Sequence, residues 1–206
     1  MKSALNLPNQ ITLGRFVLAV VFVALLSQYS QQDPQRGLLD LAAAIFVVAA
    51  LTDFLDGYMA RRRGQVTVLG RILDPLVDKV LVCGAFILFA GQPFVDESGR
   101  NVTHVSAWMV VVIVGRELLV TGLRGFSESV GQSYGASVYG KIKMWMQSIA
   151  APAILLIVAH EAEWSLGGSA ETIKKALVWI TVAVTALSML SYLVRSRTLL
   201  EEGRSA

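Results

Sequence analysis

Asp53, Asp56, Asp74 and Asp78 form two pairs, three and four residues apart. On an α-helix these spacings share a face, so each pair can direct both carboxylates at one place. The surrounding sequence is strongly apolar, and a carboxylate close to hydrocarbon is costly enough to signal function. Four together repel one another unless positive charge lies between them. A pair of divalent cations meets that need. Hard ions such as Mg²⁺ take oxygen ligands and share their shell between carboxylates and phosphate, and two of them can clamp both sides of an in-line phosphoryl displacement. Gly57 and Ala60 leave room for a bulky ligand beside the backbone. Arg61 adds a permanently charged fork suited to phosphate. Taken singly, the acids have plainer uses. Asp74 before Pro75 would make a helix N-cap with proline at the first helical position, and Asp53 and Asp56 could end a span at the interface. All four in register with Gly57, Ala60, Arg61 and Gly70 favour the site over the caps.

The elements that carry these residues follow from hydropathy. The chain has 206 residues, 54% hydrophobic and 16% charged, with a mean hydropathy of +0.58. A soluble domain has no need of so apolar a composition. Crossing a bilayer takes about 20 apolar residues, and six stretches qualify as candidate spans: 11–28, 38–60, 72–90, 104–125, 142–160 and 173–194. The expectation is one all-α membrane domain over 1–206, a bundle of six transmembrane helices. A short interfacial segment over 1–10, containing Pro8, precedes it. Arg15 interrupts the first apolar run and no small-x-small cleavage site follows, so this start is expected to be retained.

Charge sets the orientation. With the N-terminus inside, fourteen of the eighteen basic residues fall on the cytoplasmic side and only Arg36, Arg100, Lys174 and Lys175 on the other. The outer loops are acidic instead, with Asp33, Asp96, Glu97, Glu161, Glu163 and Glu171. The positive-inside rule then places both termini in the cytoplasm. The basic residues suit a membrane surface and an anionic substrate better than nucleic acid. The single Cys83 excludes an intrachain disulfide and a cysteine metal site. His104 and His160 have no second ligand at metal spacing, and the four tryptophans suit lipid-facing or interfacial positions.

The pattern D-x2-D-G-x2-A-R-x8-G-x3-D-x3-D, matched at Asp53, Asp56, Gly57, Ala60, Arg61, Gly70, Asp74 and Asp78, resembles the signature of the CDP-alcohol phosphatidyltransferases. The six-span layout extends the resemblance over most of the chain. It implies transfer of a phosphatidyl group from CDP-diacylglycerol to a small alcohol, with release of CMP. It implies two divalent ions, Mg²⁺ or Mn²⁺, held by the first three aspartates with Asp78 nearby, and Asp78 as the acceptor of the hydroxyl proton. A carboxylate base for a hydroxyl of high pKa is consistent with general-base chemistry. Gly57, Arg61 and Thr67 match positions that contact the CDP-lipid, and Ala60 and Gly70 complete that set. The start Pro8-Asn9-x-x-Thr12-x-x-Arg15 is similar to starts in relatives of the family. Asn9, Thr12 and Arg15 either line the nucleotide site or serve as an N-cap followed by a snorkelling arginine.

A second basic group marks the acceptor side. Gly115-Arg116-Glu117 is followed by Thr121 and Arg124, and Gly140-Lys141-Ile142-Lys143 by Gln147. Arg116, Thr121, Arg124, Lys141 and Lys143 are the candidate phosphate contacts. Lys141 and Lys143 lie about 200° apart on a regular helix. These two groups resemble the glycerol-3-phosphate branch of the family, which implies sn-glycerol 3-phosphate as acceptor and phosphatidylglycerophosphate as product. Met144 stands where relatives carry threonine. Within the family a phosphatidylinositol-phosphate or phosphatidylserine synthase is the nearest alternative. Outside it stand an intramembrane prenyltransferase and an ion-coupled transporter, neither of which calls for the Gly-Ala-Arg register beside the acids. The resemblance further implies a homodimer in the bacterial inner membrane, with its site facing the cytoplasm.

Overall fold

The computed structural model describes residues 7–63, 68–129, 138–165 and 167–202, and among these the side chains of 10–53, 73, 75–129, 138–165 and 167–194. Six α-helices make up the fold among the described residues: α1 Leu7–Ser27, α2 Arg36–Arg63, α3 Val68–Phe89, α4 Ala107–Ser129, α5 Val138–His160 and α6 Gly168–Glu202. Among the described residues there is no strand, only two isolated bridges in the loops. The all-α expectation holds, and each helix overlaps one predicted span.

The boundaries differ at informative places. Pro75 lies inside α3, which begins at Val68, so Asp74 is not a helix N-cap. The interfacial segment expected over 1–10 falls mostly outside the described residues, and Leu7 to Gln10 already belong to α1. Residues 104–106 precede α4 rather than open it, with His104 at a φ of 60°.

Among the described residues three helices contain stretches long and apolar enough to cross a membrane: Gln10–Ser27, Val138–His160 and Gly168–Val194. The described parts of α2, α3 and α4 differ from these in charge. They hold the charges: Asp40 and Asp53 in α2, Asp78 and Lys79 in α3, and Arg116, Glu117 and Arg124 in α4. Such groups sit inside a membrane protein only where protein neighbours receive them.

Packing groups the helices around α1 and α5. α1 lies against α2 and α3, while α5 bridges α2 and α6, and α4 rests on α6. Phe22 of α1 meets Phe46 of α2 edge-on, with ring centroids 5.5 Å apart. Phe86, Phe89 and Phe94 continue the core in two further edge-on pairs. The loop after α3 satisfies that helix's last carbonyls, since Asn101 Nδ2 and Thr103 Oγ1 both donate to Phe89 O, at 2.7 and 2.9 Å. In the same loop the Asp96 carboxylate accepts from Ser98 and from the Arg100 backbone, which holds its pKa below the ordinary value, the Ser98 hydroxyl contributing most.

The far end of the bundle is fastened by polar side chains. His160 closes α5 with Nε2 2.8 Å from Asp40 Oδ1 of α2 and Nδ1 3.0 Å from Glu163 Oε2. Arg36 pairs with the same Glu163, and Lys174 with Glu161 at 2.7 Å. The bond from His160 holds the Glu163 carboxyl below its usual range, with Arg36 adding to the effect. Tyr29, buried and near Glu161, has its phenol pushed up to about 12, chiefly by burial.

α1 and α3 approach most closely at Gly84, where an added Cβ would lie 2.7 Å from Val23 Cγ2. Valine is held in one rotamer on a helix and cannot swing aside. Gly84→Ala is therefore expected to destabilise the detergent-solubilised protein by about 1–3 kcal/mol, read as a lowered melting temperature. Adding Val23→Ala should recover most of the loss; a Gly84→Ala protein as stable as the parent would show that the helices do not meet this closely.

Candidate active site

Charged side chains from five helices meet in the interior. Arg15 of α1 is almost fully buried, and its Nη2 lies 2.6 Å from Asp53 Oδ1 of α2. Asp78 of α3 faces both, and the charges acting on its carboxylate are those of Lys143, Asp53, Glu117 and Arg15. Glu117 of α4 sits between two cations: Arg116 Nη1 at 3.2 Å and Lys143 Nζ of α5, which pairs directly with its Oε1. All three members of this triad are buried. Among the described residues Arg15 thus pairs with Asp53 and both Arg116 and Lys143 with Glu117, beside the carboxylate of Asp78.

The local sequence explains the placement. Thr12 and Arg15, three apart, are both buried on one face of α1. Asp53 and Asp56 lie one turn apart in α2, and Asp74 and Asp78 one turn apart in α3. α5 turns Lys143 and Gln147 inward, four residues apart, and leaves Lys141 exposed. The 200° separation between the two lysines therefore persists, and only Lys143 joins the cluster. Thr121 is likewise on the outer side of α4, its hydroxyl donating to Glu117 O of its own helix at 2.8 Å. Arg124, half-buried, reaches α6 instead, with Nη2 2.7 Å from Tyr192 Oη. The side chains of Asn9, Asp56, Gly57, Ala60, Arg61, Gly70 and Asp74, and Thr67 altogether, lie outside the described residues.

α6 contributes groups that the motifs do not reveal. Ser188 Oγ accepts from Arg116 Nη2 at 2.8 Å. Thr185 Oγ1 is 3.4 Å from Gln147 Nε2 and itself donates to Thr181 O. Thr181, Thr185, Ser188 and Tyr192 are all buried. They recur at four, three and four residues in an otherwise apolar helix, a hydroxyl stripe on one face. That periodicity is the signal in the sequence, a faint one because none of these residues carries a charge.

The donor set suits a hard cation. The charges of Asp53 and Asp78 are near enough to repel each other, and an ion between them would relieve that repulsion. Among the described residues no three of His, Cys, Asp and Glu gather as a ligand group. The other two acids of the constellation, Asp56 and Asp74, belong to α2 and α3.

Similar proteins point the same way. Residues 5–187 match the family model for CDP-alcohol phosphatidyltransferases. The chain is 36% identical over 194 residues to a Bacillus subtilis protein, covering 91% of this chain and 93% of that one. It is 33% identical to a Rickettsia bellii protein, covering 93% and 96%, and 32% identical to one from Shigella flexneri serotype 5b, covering 93% and 95%. Each of the three is named CDP-diacylglycerol--glycerol-3-phosphate 3-phosphatidyltransferase. A family match over nearly the whole length, on a helical chain whose Asp53 pairs with the buried Arg15, leads to one conclusion: this chain is a member of the CDP-alcohol phosphatidyltransferase family.

Proposed function

We propose that this enzyme transfers the phosphatidyl group of CDP-diacylglycerol to sn-glycerol 3-phosphate, giving phosphatidylglycerophosphate and CMP. The observation that carries the reading is the meeting of Asp78 with Lys143 and the Glu117–Arg116 pair. A proton acceptor and a cluster for an anionic acceptor share one interior. The names of the relatives from Bacillus subtilis and Rickettsia bellii support the choice of acceptor.

In this reading Asn9, Thr12, Arg15, Gly57, Ala60, Arg61, Thr67 and Gly70 receive the CDP-lipid. Arg15 acts through its bond to Asp53 and orients that carboxylate. Two divalent ions, Mg²⁺ or Mn²⁺, held by Asp53, Asp56, Asp74 and Asp78, would neutralise the pyrophosphate and the departing CMP. Lys143, Arg116 and Arg124 hold the acceptor's phosphate, while the exposed Thr121 and Lys141 stand outside that cluster. Asp78 then takes the proton of the acceptor hydroxyl as its oxygen bonds to the β-phosphorus of the CDP-lipid. The bond from that phosphorus to the bridging oxygen breaks, and CMP leaves with the bonding pair. Holding both substrates in one interior makes the step effectively unimolecular.

The family's dependence on divalent ions gives the first test. CMP release should stop in EDTA and return with Mg²⁺ or Mn²⁺. Asp78→Asn should abolish turnover yet keep most CDP-diacylglycerol binding, whereas Asp56→Asn should lose metal-supported binding too. Equal loss of binding in both variants would make Asp78 a ligand first and a base second.

Acceptor choice is tested with a panel of alcohols. The purified enzyme should prefer glycerol 3-phosphate over inositol phosphate and serine. Arg124→Ala should raise KM for glycerol 3-phosphate about ten- to a hundredfold, the effect of a lost charge-assisted hydrogen bond, with KM for CDP-diacylglycerol little changed. Preference for inositol phosphate or serine would overturn the acceptor and leave the transferase.

The protein is further proposed to cross the bacterial inner membrane six times as a homodimer, with both termini and the active site at the cytoplasmic face. The uneven distribution of Lys and Arg supports this orientation. Gly99, at a φ of 78°, is a poor place for a cysteine probe, and the exposed Glu97 and Ser129 are better. In a Cys83→Ala background, a membrane-impermeant thiol reagent should label Glu97→Cys in intact cells and not Ser129→Cys. The reverse pattern would invert the topology.

A further inference from the structure

Two donors in the basic cluster are buried without a hydrogen-bond partner: Nε of Arg116 and Nε of Arg124. A guanidinium presents its donors in a fixed fork, and a buried donor left unmet costs free energy. Other parts of both groups are engaged. Arg116 gives Nη1 to Glu117 and Nη2 to Ser188, and Arg124 gives Nη2 to Tyr192 Oη. One further contact joins them. Their Cζ atoms lie 5.7 and 5.5 Å from the centroid of the same ring, that of Tyr192, which is itself 1% exposed.

A single buried ring on α6 therefore holds two guanidinium groups from different turns of α4. Bringing two like charges together is unfavourable. The ring's quadrupole offsets part of that cost, and an anion placed between the two would offset the rest. The free Nε–H groups are the donors such an anion would use.

We propose that Tyr192 is a positioning residue for the anionic acceptor: by its ring and hydroxyl it holds Arg116 and Arg124 so that their Nε–H groups remain for the acceptor's phosphate. The ligand class is a phosphate monoester dianion, whose several oxygens can accept from both arginines. The inference rests on the acceptor site proposed above and adds a residue that does not touch the substrate. It also gives α6 a role in acceptor binding.

The test is steady-state kinetics on the full-length protein in detergent micelles with CDP-diacylglycerol. Tyr192→Phe removes the bond to Arg124 and keeps the ring, while Tyr192→Leu removes both contacts. Tyr192→Phe should raise KM for glycerol 3-phosphate about tenfold, the lower range for a hydrogen bond to a charged group. kcat and KM for CDP-diacylglycerol should stay within about twofold, and the melting temperature should be unchanged. Tyr192→Leu should raise the same KM further. In an Arg124→Ala background, Tyr192→Phe should add nothing, because the arginine it positions is gone. A Tyr192→Phe protein with normal KM, or one whose kcat and both KM values shift together, would overturn the proposal. So would a full additional factor in the Arg124→Ala background. If Arg124→Ala alone leaves KM for glycerol 3-phosphate unchanged, the acceptor site itself is wrong and the Tyr192 proposal falls with it. A raised KM in Arg124→Ala beside a normal one in Tyr192→Phe rejects only the positioning role.

Discussion

The bond network around Glu117 is the constraint on which the interior depends. A carboxylate and two cations lie buried together, and none could stay there alone. Charges taken from water cost several kcal/mol each unless their partners are close and well oriented, and losing one member of a buried pair typically costs about 3–5 kcal/mol. α4, α5 and, through Asp78, α3 must therefore hold a common register. The net positive charge of the triad faces the negative charge of Asp78. Among the described residues the triad and Asp78 together are close to neutral.

The same need shapes the rest of the bundle. Arg15 matches Asp53 across α1 and α2, and the hydroxyl stripe of α6 receives what α4 and α5 leave over. Outward surfaces follow the opposite rule. Val17 and Val20 of α1 and Trp179 of α6 are exposed, on two helices apolar enough to cross a membrane. With lipid outside as apolar as the core inside, association of the helices relies on packing and on polar contacts. The edge-on phenylalanines and the close approach at Gly84 provide the first, and the charged interior the second.

The far end complements the site. There His160, Asp40, Glu163 and Arg36 join α2 to α5, the two helices that carry Asp53 and Lys143 at the other end. Fixing that pair at a distance limits how far the acid and the lysine can separate. The site can then afford large ligands, because its walls are held elsewhere.

Much of this protein was legible in its residues. The aspartate spacing, the adjacent small residues and the basic pairs marked both the chemistry and the helices that carry it, because ion ligation and helical periodicity are local properties. The six apolar stretches fixed the helical order for the same reason. Tertiary structure decided the rest. Spacing on α5 could not say which lysine turns inward; packing against α2 and α6 selects Lys143 and leaves Lys141 outside. Proline's local preference suggested a helix start at Asp74, yet α3 begins six residues earlier, since bundle contacts override a local cap. Ser188 and Tyr192 carry no charge and no motif, so their importance arises only from the arginines that α4 brings to them. Partners far apart in sequence are chosen by the packing of whole helices, and that choice is not written in any one segment.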